Sequence, residues 1–245
     1  MATWMTLDGE NCEDVGLYVM GYPPQASPRR RAHVKKIPGS ESTRIYDGAW
    51  GYEEMTLTVT FYYDGKGDAD QALAWFLPEV REIIFGDQPE YCYQGCVDEQ
   101  VDFESIFRER RPCRFKVNFI CSPFRHLSGP GEDITVLDVG VITHPGTARS
   151  LPLIRAWGSG EGSILFRTQE MLRIRDLEEG KPLVIDSAAM ICTDEEGLKD
   201  MSYRMAGDYP YLDPGENAIV LSGGVTRIEI EPRFAWLGRK RQGGE

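Results

Sequence analysis

No run of about eighteen apolar residues occurs in the chain, so no segment reads as a membrane-spanning helix. The N-terminus lacks the basic start and apolar core of a secretory signal. The expectation is a protein made and used in soluble form, or exported by some other route. Histidine is scarce: His33, His126 and His144 fall in loop-like surroundings and match no metal-ligand spacing. The six cysteines, Cys12, Cys92, Cys96, Cys113, Cys121 and Cys192, are irregularly spaced. Their one close pair, Cys92 and Cys96, has no second pair beside a histidine cluster, so the cysteines read as reduced, largely buried small hydrophobes of a cytosolic protein. Basic charge is also short: the formal net charge is −12 and the pI about 4.8. Sequence-independent nucleic-acid binding needs Lys and Arg to replace phosphate counterions, so neither DNA nor RNA is expected as a bound partner. Arg29-Arg30-Arg31 with Lys35-Lys36, and Arg108–Arg111, are local exceptions. They read as solvated loops, or as an ion-pairing patch toward an acidic neighbour.

Reactive motifs are missing too. The Gly-rich Gly158–Gly162 segment has no helix pattern behind it to cradle a phosphate, and no Lys-Ser/Thr follows, so it reads as a hairpin turn. Neither Ser159 nor Ser163 has the glycine frame of a nucleophile elbow. Carboxylates are abundant, but Asp194-Glu195-Glu196 and Glu178-Glu179 sit in turn-like segments where acidic residues are simply solvated. No catalytic residue, cofactor or metal is expected.

What is present is β-pattern, in a chain of 245 residues whose mean hydropathy is negative. Thr3–Leu7 and Val15–Tyr22 read as short strands around an Asp8-Gly9 turn. Pro23 to Ser40 has several breakers and no periodicity, so it reads as a long loop or extended arm. Tyr52–Tyr63 is the clearest strand: Met55, Leu57, Val59, Phe61 and Tyr63 point one way and the threonines the other. A helix follows, capped by Asp68, with Ala69, Ala72, Leu73, Phe76, Leu77, Val80, Ile83 and Ile84 as a stripe and Gly86 as its stop. Pro78 either kinks it or starts a second short helix. The stripe is expected to pack on the Tyr52–Tyr63 sheet. Tyr91–Tyr93 and Val97–Phe107 read as strands split by a Gln94-Gly95 turn, and Cys113–Cys121 alternates until Ser122-Pro123-Phe124 closes it.

The Ser128-Gly129-Pro130-Gly131 cluster suggests a domain boundary, giving an N-terminal domain over 1–131 and a C-terminal domain over 132–245. The second half reads as strands only: Ile134–Ile142, Leu151–Trp157, Ser163–Phe166, Glu170–Ile174, Pro182–Ile185 and Ala189–Cys192, at β-sandwich spacing. It ends with an Asp213-Pro214-Gly215-Glu216 type II turn and a hairpin through Ser222-Gly223-Gly224, joining Ile219–Leu221 to Val225–Ile230, which Pro232 closes. Trp157, Tyr209, Tyr211, Phe234 and Trp236 could stack sugars, but core or inter-domain packing is the stronger reading. The fold class is therefore mainly β with one helix: a β-rich α+β first domain and a β-sandwich second.

The order of these parts resembles the phage distal tail proteins. The carriers are His144-Pro145-Gly146-Thr147 before Leu153–Gly160, Val184-Ile185-Asp186-Ser187, and Tyr209-Pro210. Leu212-x-Pro214-Gly215-x-Asn217-x-Ile219, Ser222-Gly223 and Pro232-Arg233 follow. In the first half they are Pro38-Gly39-Ser40, one alternating strand, one helix and Phe119-x-Cys121-x-Pro123-Phe124. The resemblance implies a ring-forming belt domain, a galectin-like sandwich, and a six-fold hub at the tail tip. Its partners would be copies of itself, the tail-tube protein, and tail-tip hub or receptor-binding proteins. The location would be the virion tail tip, after assembly in the host cytoplasm. A stand-alone carbohydrate-binding sandwich, or another tail-tube component, is the alternative.

Overall fold

The computed structural model describes residues 4–31, 33–36, 43–46, 51–66, 68–76, 79–98, 112–129, 131–166 and 171–239. The chain divides into two units, Met1–Ser128 with Leu237–Glu245, and Gly129–Trp236.

In the first unit, β1 (Met5–Leu7) and β2 (Glu10–Asn11) precede a 3-10 turn at Cys12–Val15 and β3 (Leu17–Gly21). Then come β4 (His33–Lys36), β5 (Thr43–Tyr46), β6 (Met55–Tyr63) and α1 (Ala69–Trp75). β7 (Arg81–Phe85), β8 (Tyr91–Val97) and β9 (Cys113–Leu127) complete it. The antiparallel sheet runs β2-β1-β7-β8-β9-β6-β3. In β6 the five apolar side chains alternate inward as the sequence predicts, and β9 opposes it in register from Met55↔Cys121 to Tyr63↔Cys113. Asp68 caps α1 by accepting from the Asp70 amide, and Trp75 and Phe76 pack edge-on against Phe61. The helix therefore covers the β6 face of the sheet, as its apolar stripe suggested.

Several expectations are corrected here. The helix does not run to Gly86; residues Arg81–Phe85 are β7, between β1 and β8. Val80, Ile83 and Ile84 fit helical spacing by coincidence, whereas Ile83 and Phe85, at strand spacing, are the fully buried pair. Sheet pairing on both sides outweighs the local pattern. Pro78 and Leu77 lie outside the described residues. The Pro23–Ser40 stretch is not all loop: β4 pairs β5, with Val34 opposite Ile45. Gln94-Gly95 is no turn, because β8 runs through it with a bulge after Tyr93. A Cβ on Gly95 would sit 2.7 Å from the Ile120 carbonyl oxygen, so the glycine serves a close backbone approach. Pro123 does not end β9; it sits in that same bulge, where no ladder donor is needed, and its carbonyl accepts from the Gly238 amide. The expected Val97–Phe107 strand ends at Val97 instead, and 99–107 lies outside the described residues, as do Arg108–Arg111. The three histidines all lie in strands, not loops: β4, β9, and β11 of the second unit.

The second unit opens with β10 (Ile134–Val136), β11 (Val139–His144) and β12 (Leu153–Phe166). It continues with β13 (Leu172–Leu177), β14 (Leu183–Asp186), β15 (Ile191–Thr193), β16 (Met205–Ala206) and β17 (Gly215–Glu231). A final short strand, β18 (Ala235–Leu237), crosses the boundary at which the chain returns to the first unit. Both anticipated hairpins are absent. Gly158–Gly162 lies inside one continuous β12 and Ser222-Gly223-Gly224 inside one continuous β17, and these two long strands pair antiparallel along their length. Trp157 is accordingly mid-strand rather than at a strand end. The glycines meet each other at register shifts. A Cβ on Gly158 would lie 1.9 Å from the Gly224 oxygen, and one on Gly224 would lie 1.9 Å from the Ser159 oxygen.

Either side of this glycine bulge the long strands take different partners. β14 flanks β12 before it and β13 after it; β11 flanks β17 before it and β10 after it. Bulges let a strand bend from one layer to another. The inward side chains of both halves, Ile154, Ile228 and Ile185 on one and Ile164, Phe166 and Ile219 on the other, accordingly belong to one core.

Candidate functional site

The motif residues of the second unit gather at the start, the central bulge and the end of β17. Gly215 has φ +94°, which suits the third position of the Asp213–Glu216 turn. Buried Asn217 locks that turn: its Oδ1 accepts from the Asp213 amide at 3.0 Å, and its Nδ2 donates to the carbonyls of Asp213 (2.8 Å) and Gly215 (3.0 Å). Arg149 clamps the outside, donating from Nε to Asp213 at 3.0 Å with its guanidinium 3.6 Å from the Tyr211 ring centre. Ser150 exchanges both backbone hydrogen bonds with Leu212, and its hydroxyl donates to the Pro232 carbonyl at 2.8 Å. Pro210 and Pro232 are buried, while Pro214 is exposed. Exposed Ser222 contacts the Ser163 hydroxyl at 2.6 Å, beside Gly223 in the bulge.

Asp186 and Arg233 also come together, with Arg233 Nη1 3.0 Å from Asp186 Oδ1. The same carboxylate oxygen accepts from the amides of Ala188 and Ala189. Burial pushes the Asp186 pKa up, but those amides and the guanidinium together outweigh it, holding the carboxyl below its ordinary value. Arg233 reaches Glu231 as well, at 3.3 Å. Pro123 lies in the other unit, in the β9 bulge, and Pro38 and Gly39 lie outside the described residues.

Other residues make contacts that their sequence positions did not suggest, His144 among them although it stands in the His144-Pro145-Gly146-Thr147 motif. His144 is buried, accepts from the Gly146 amide at Nδ1, and lies 4.8 Å from Phe234, ring to ring. Burial lowers its pKa, so it is a neutral packing residue. In the first unit Arg239 is 2% exposed; it donates to the Pro23 carbonyl, pairs with Asp87 and lies over the Phe85 ring. Buried Arg125 and Tyr93 share the Gln88 side-chain oxygen.

This arrangement is one of turn locks and ion pairs. Among the described residues no group of three or more His, Cys, Asp or Glu is placed to hold a metal ion. None of the six cysteines is joined in a disulfide. Burial pushes the thiols of Cys12 and Cys192 up to about 11 and those of Cys92 and Cys121 up to about 12, so these four carry little nucleophilic thiolate near neutrality. Of the aromatic candidates, Tyr209 and Phe234 pack on the core, and Trp157 carries the Arg227 guanidinium 4.0 Å from its ring centre. Trp236 is partly buried, and Arg29-Arg30-Arg31 are exposed.

No protein-family profile matches the sequence, and no curated protein does either. Solved structures do match. One is the Dit (gp 19.1) protein of phage SPP1, described as a paradigm of the hub adsorption apparatus in phages infecting Gram-positive bacteria. It is 16% identical, with a TM-score of 0.73, over 94% of this chain and 99% of that one. Another is a chain of the phage P2 baseplate in its activated conformation with Ca, 8% identical, TM-score 0.52, over 98% of this chain and 99% of that one. In fold, over nearly its whole length, this chain matches the Dit-type phage tail protein.

Proposed function

We propose that this protein is a structural component of a long-tailed phage or prophage. It forms a ring hub at the distal tail tip, joining the tail tube to tail-tip or baseplate proteins and leaving a passage for DNA. The observation that carries this reading is the full-length fold match to the SPP1 hub protein, which takes in both units rather than one sandwich alone. In this reading the first unit, residues 1–128 with 237–245, is the ring-forming belt and residues 129–236 are a galectin-like platform for neighbouring tail proteins. The expected boundary near 131 moves to 128 and the last residues pass to the belt. The protein, in this reading, is not an enzyme. The net charge of −12 suits a channel past which DNA slides, since like charge discourages phosphate binding. A ring needs head-to-tail contacts that close on themselves. The motif positions Pro38, Gly39, Pro123, Asp186, Pro210, Pro214, Gly215, Asn217, Ser222, Gly223, Pro232 and Arg233 act in this reading as framework rather than as a reacting site.

Light scattering over a concentration series, with negative-stain images of the same samples, tests the proposal. Uniform rings with a central hole are expected, alone or once a tail-tube partner is added. Long tubes would instead indicate a tube component. Compact monomers at every concentration, with the partner present, would overturn the hub and favour a carbohydrate-binding module.

A further inference from the structure

Sheet edges offer unpaired backbone donors and acceptors, and proteins blunt them with short strands, charges, prolines or bulges. Most edges here are blunted. β2 and β16 have two residues each, and β10 and β15 have three. β3 carries a register shift before Gly21. β11 is the exception: six residues, Val-Gly-Val-Ile-Thr-His, with no charge, proline or bulge, paired with β17 on one side and with no strand on the other among the described residues.

The face beside this edge is apolar where a solvated sheet face would be polar. Val139 and Val141 are 64% and 61% exposed. Across the ladder Val139 opposes Val220, Val220 opposes Leu165, and Val141 opposes Ala218. Val220 and Leu165 are themselves 37% and 38% exposed, so one apolar row crosses three strands on the side away from the core. Exposed Asp138 immediately precedes β11, and acidic residues outnumber basic ones across Gly129–Trp236.

We infer that the open edge of β11 takes up an extended strand of another polypeptide, apolar on one face and flanked by basic residues. The inference rests on the docking role proposed above. Backbone pairing would supply affinity, and the valine face would select alternate apolar side chains. Basic flanks would complement the acidic unit, whereas a second copy would bring like charge to like.

A labelled peptide, Lys-Thr-Val-Thr-Val-Thr-Val-Thr-Lys, serves as the probe. Saturable binding is expected by fluorescence anisotropy, with slowed hydrogen exchange confined to the amides of 139–144. The exposed double substitution Val139→Lys/Val141→Lys should weaken binding at least tenfold, and Tyr18→Lys on β3 should leave it unchanged. The inference falls if binding is absent, if a Glu-flanked peptide binds equally well, or if protection appears elsewhere. It also falls if the protein dimerises and the double substitution abolishes the dimer, since β11 would then serve a second copy. Ring images read the hub proposal independently, so failure of one is distinguishable from failure of the other.

Discussion

Asp186 and Arg239 show two ways in which a single ionisable side chain holds this protein together. Asp186 accepts two backbone amides and the Arg233 guanidinium at once. The two amides are exposed, so water can replace the carboxylate there, and Asp186→Ala is expected to cost about 0.5–1.5 kcal/mol in urea denaturation. Its folded pKa is depressed, so the unfolded chain binds the extra proton. The stability it contributes is therefore complete above its ordinary value of 3.8 and is lost as pH falls below that through the lower folded value. Asp186→Asn should flatten the acid limb of the wild-type stability curve below pH 3.8; parallel curves for the two proteins there would remove Asp186 from the acid response. Arg239 is the more demanding case. Its charge is buried and offset by Asp87, the Pro23 carbonyl and the Phe85 ring, and Arg239→Ala removes the guanidinium that Asp87 pairs with. A loss toward the lower end of about 3–5 kcal/mol is expected, because Asp87 keeps some solvent contact. Arg239→Ala and Asp87→Ala should be strongly non-additive in a double-mutant cycle; independent effects would show that the two charges do not act as a pair.

At the scale of elements, the glycines of β12 separate two readings of one motif. Were Gly158–Gly162 a hairpin turn, the left-handed Gly160, at φ +71°, would be its critical residue. In the paired strands Gly160 has nothing within 4 Å, while an added Cβ on Gly158 would be driven into the Gly224 carbonyl. Gly158→Ala should therefore cost more than the usual overpacking range of about 1–3 kcal/mol. Gly160→Ala should cost about 1–2 kcal/mol from backbone strain alone, and Gly131→Ala, in open space, almost nothing. Thermal melts of the three variants give the order; a melt in which Gly160→Ala is the most damaging would restore the turn. The same contrast shows what the sequence could reveal. Alternation in β6 and β9 was legible because each buries one face, so every second residue is apolar. Glycine is ambiguous, since it serves left-handed turns and close backbone approach equally, and only the partner strand decides. The Ile83-Ile84 pair was misread for a similar reason, because a short apolar run satisfies helical and strand spacing alike until its neighbours are known. Asn217 and the Asp213–Gly215 turn were legible because their chemistry is local in sequence. The roles of Arg125 and Arg239 were not, since their partners are distant in sequence and gathered by the sheet.

For the whole molecule, the path of the chain matters more than any one contact. The second unit, Gly129–Trp236, lies in sequence between two parts of the first, because the chain returns at Leu237. Gly238 and Arg239 then tie into the first unit through the Pro123 carbonyl, reciprocal backbone hydrogen bonds with Ala26, and the buried Arg239 side chain. The first unit thus takes residues from both sides of the second unit in sequence. A protein truncated after Trp236 should keep a folded second unit but lose much of the first unit's protection. One ending at Arg239 should keep both. Hydrogen exchange resolves the two, because β7 and β8, which carry Phe85 and Tyr93 beneath Arg239, report on the first unit while β12 and β17 report on the second. Faster exchange in β7 and β8 of the shorter protein alone is the expected result. If those strands exchange equally slowly in both, the returning segment is an appendage rather than part of the first unit's core. If β12 and β17 also speed up, the two units unfold as one and the division between them has no thermodynamic meaning.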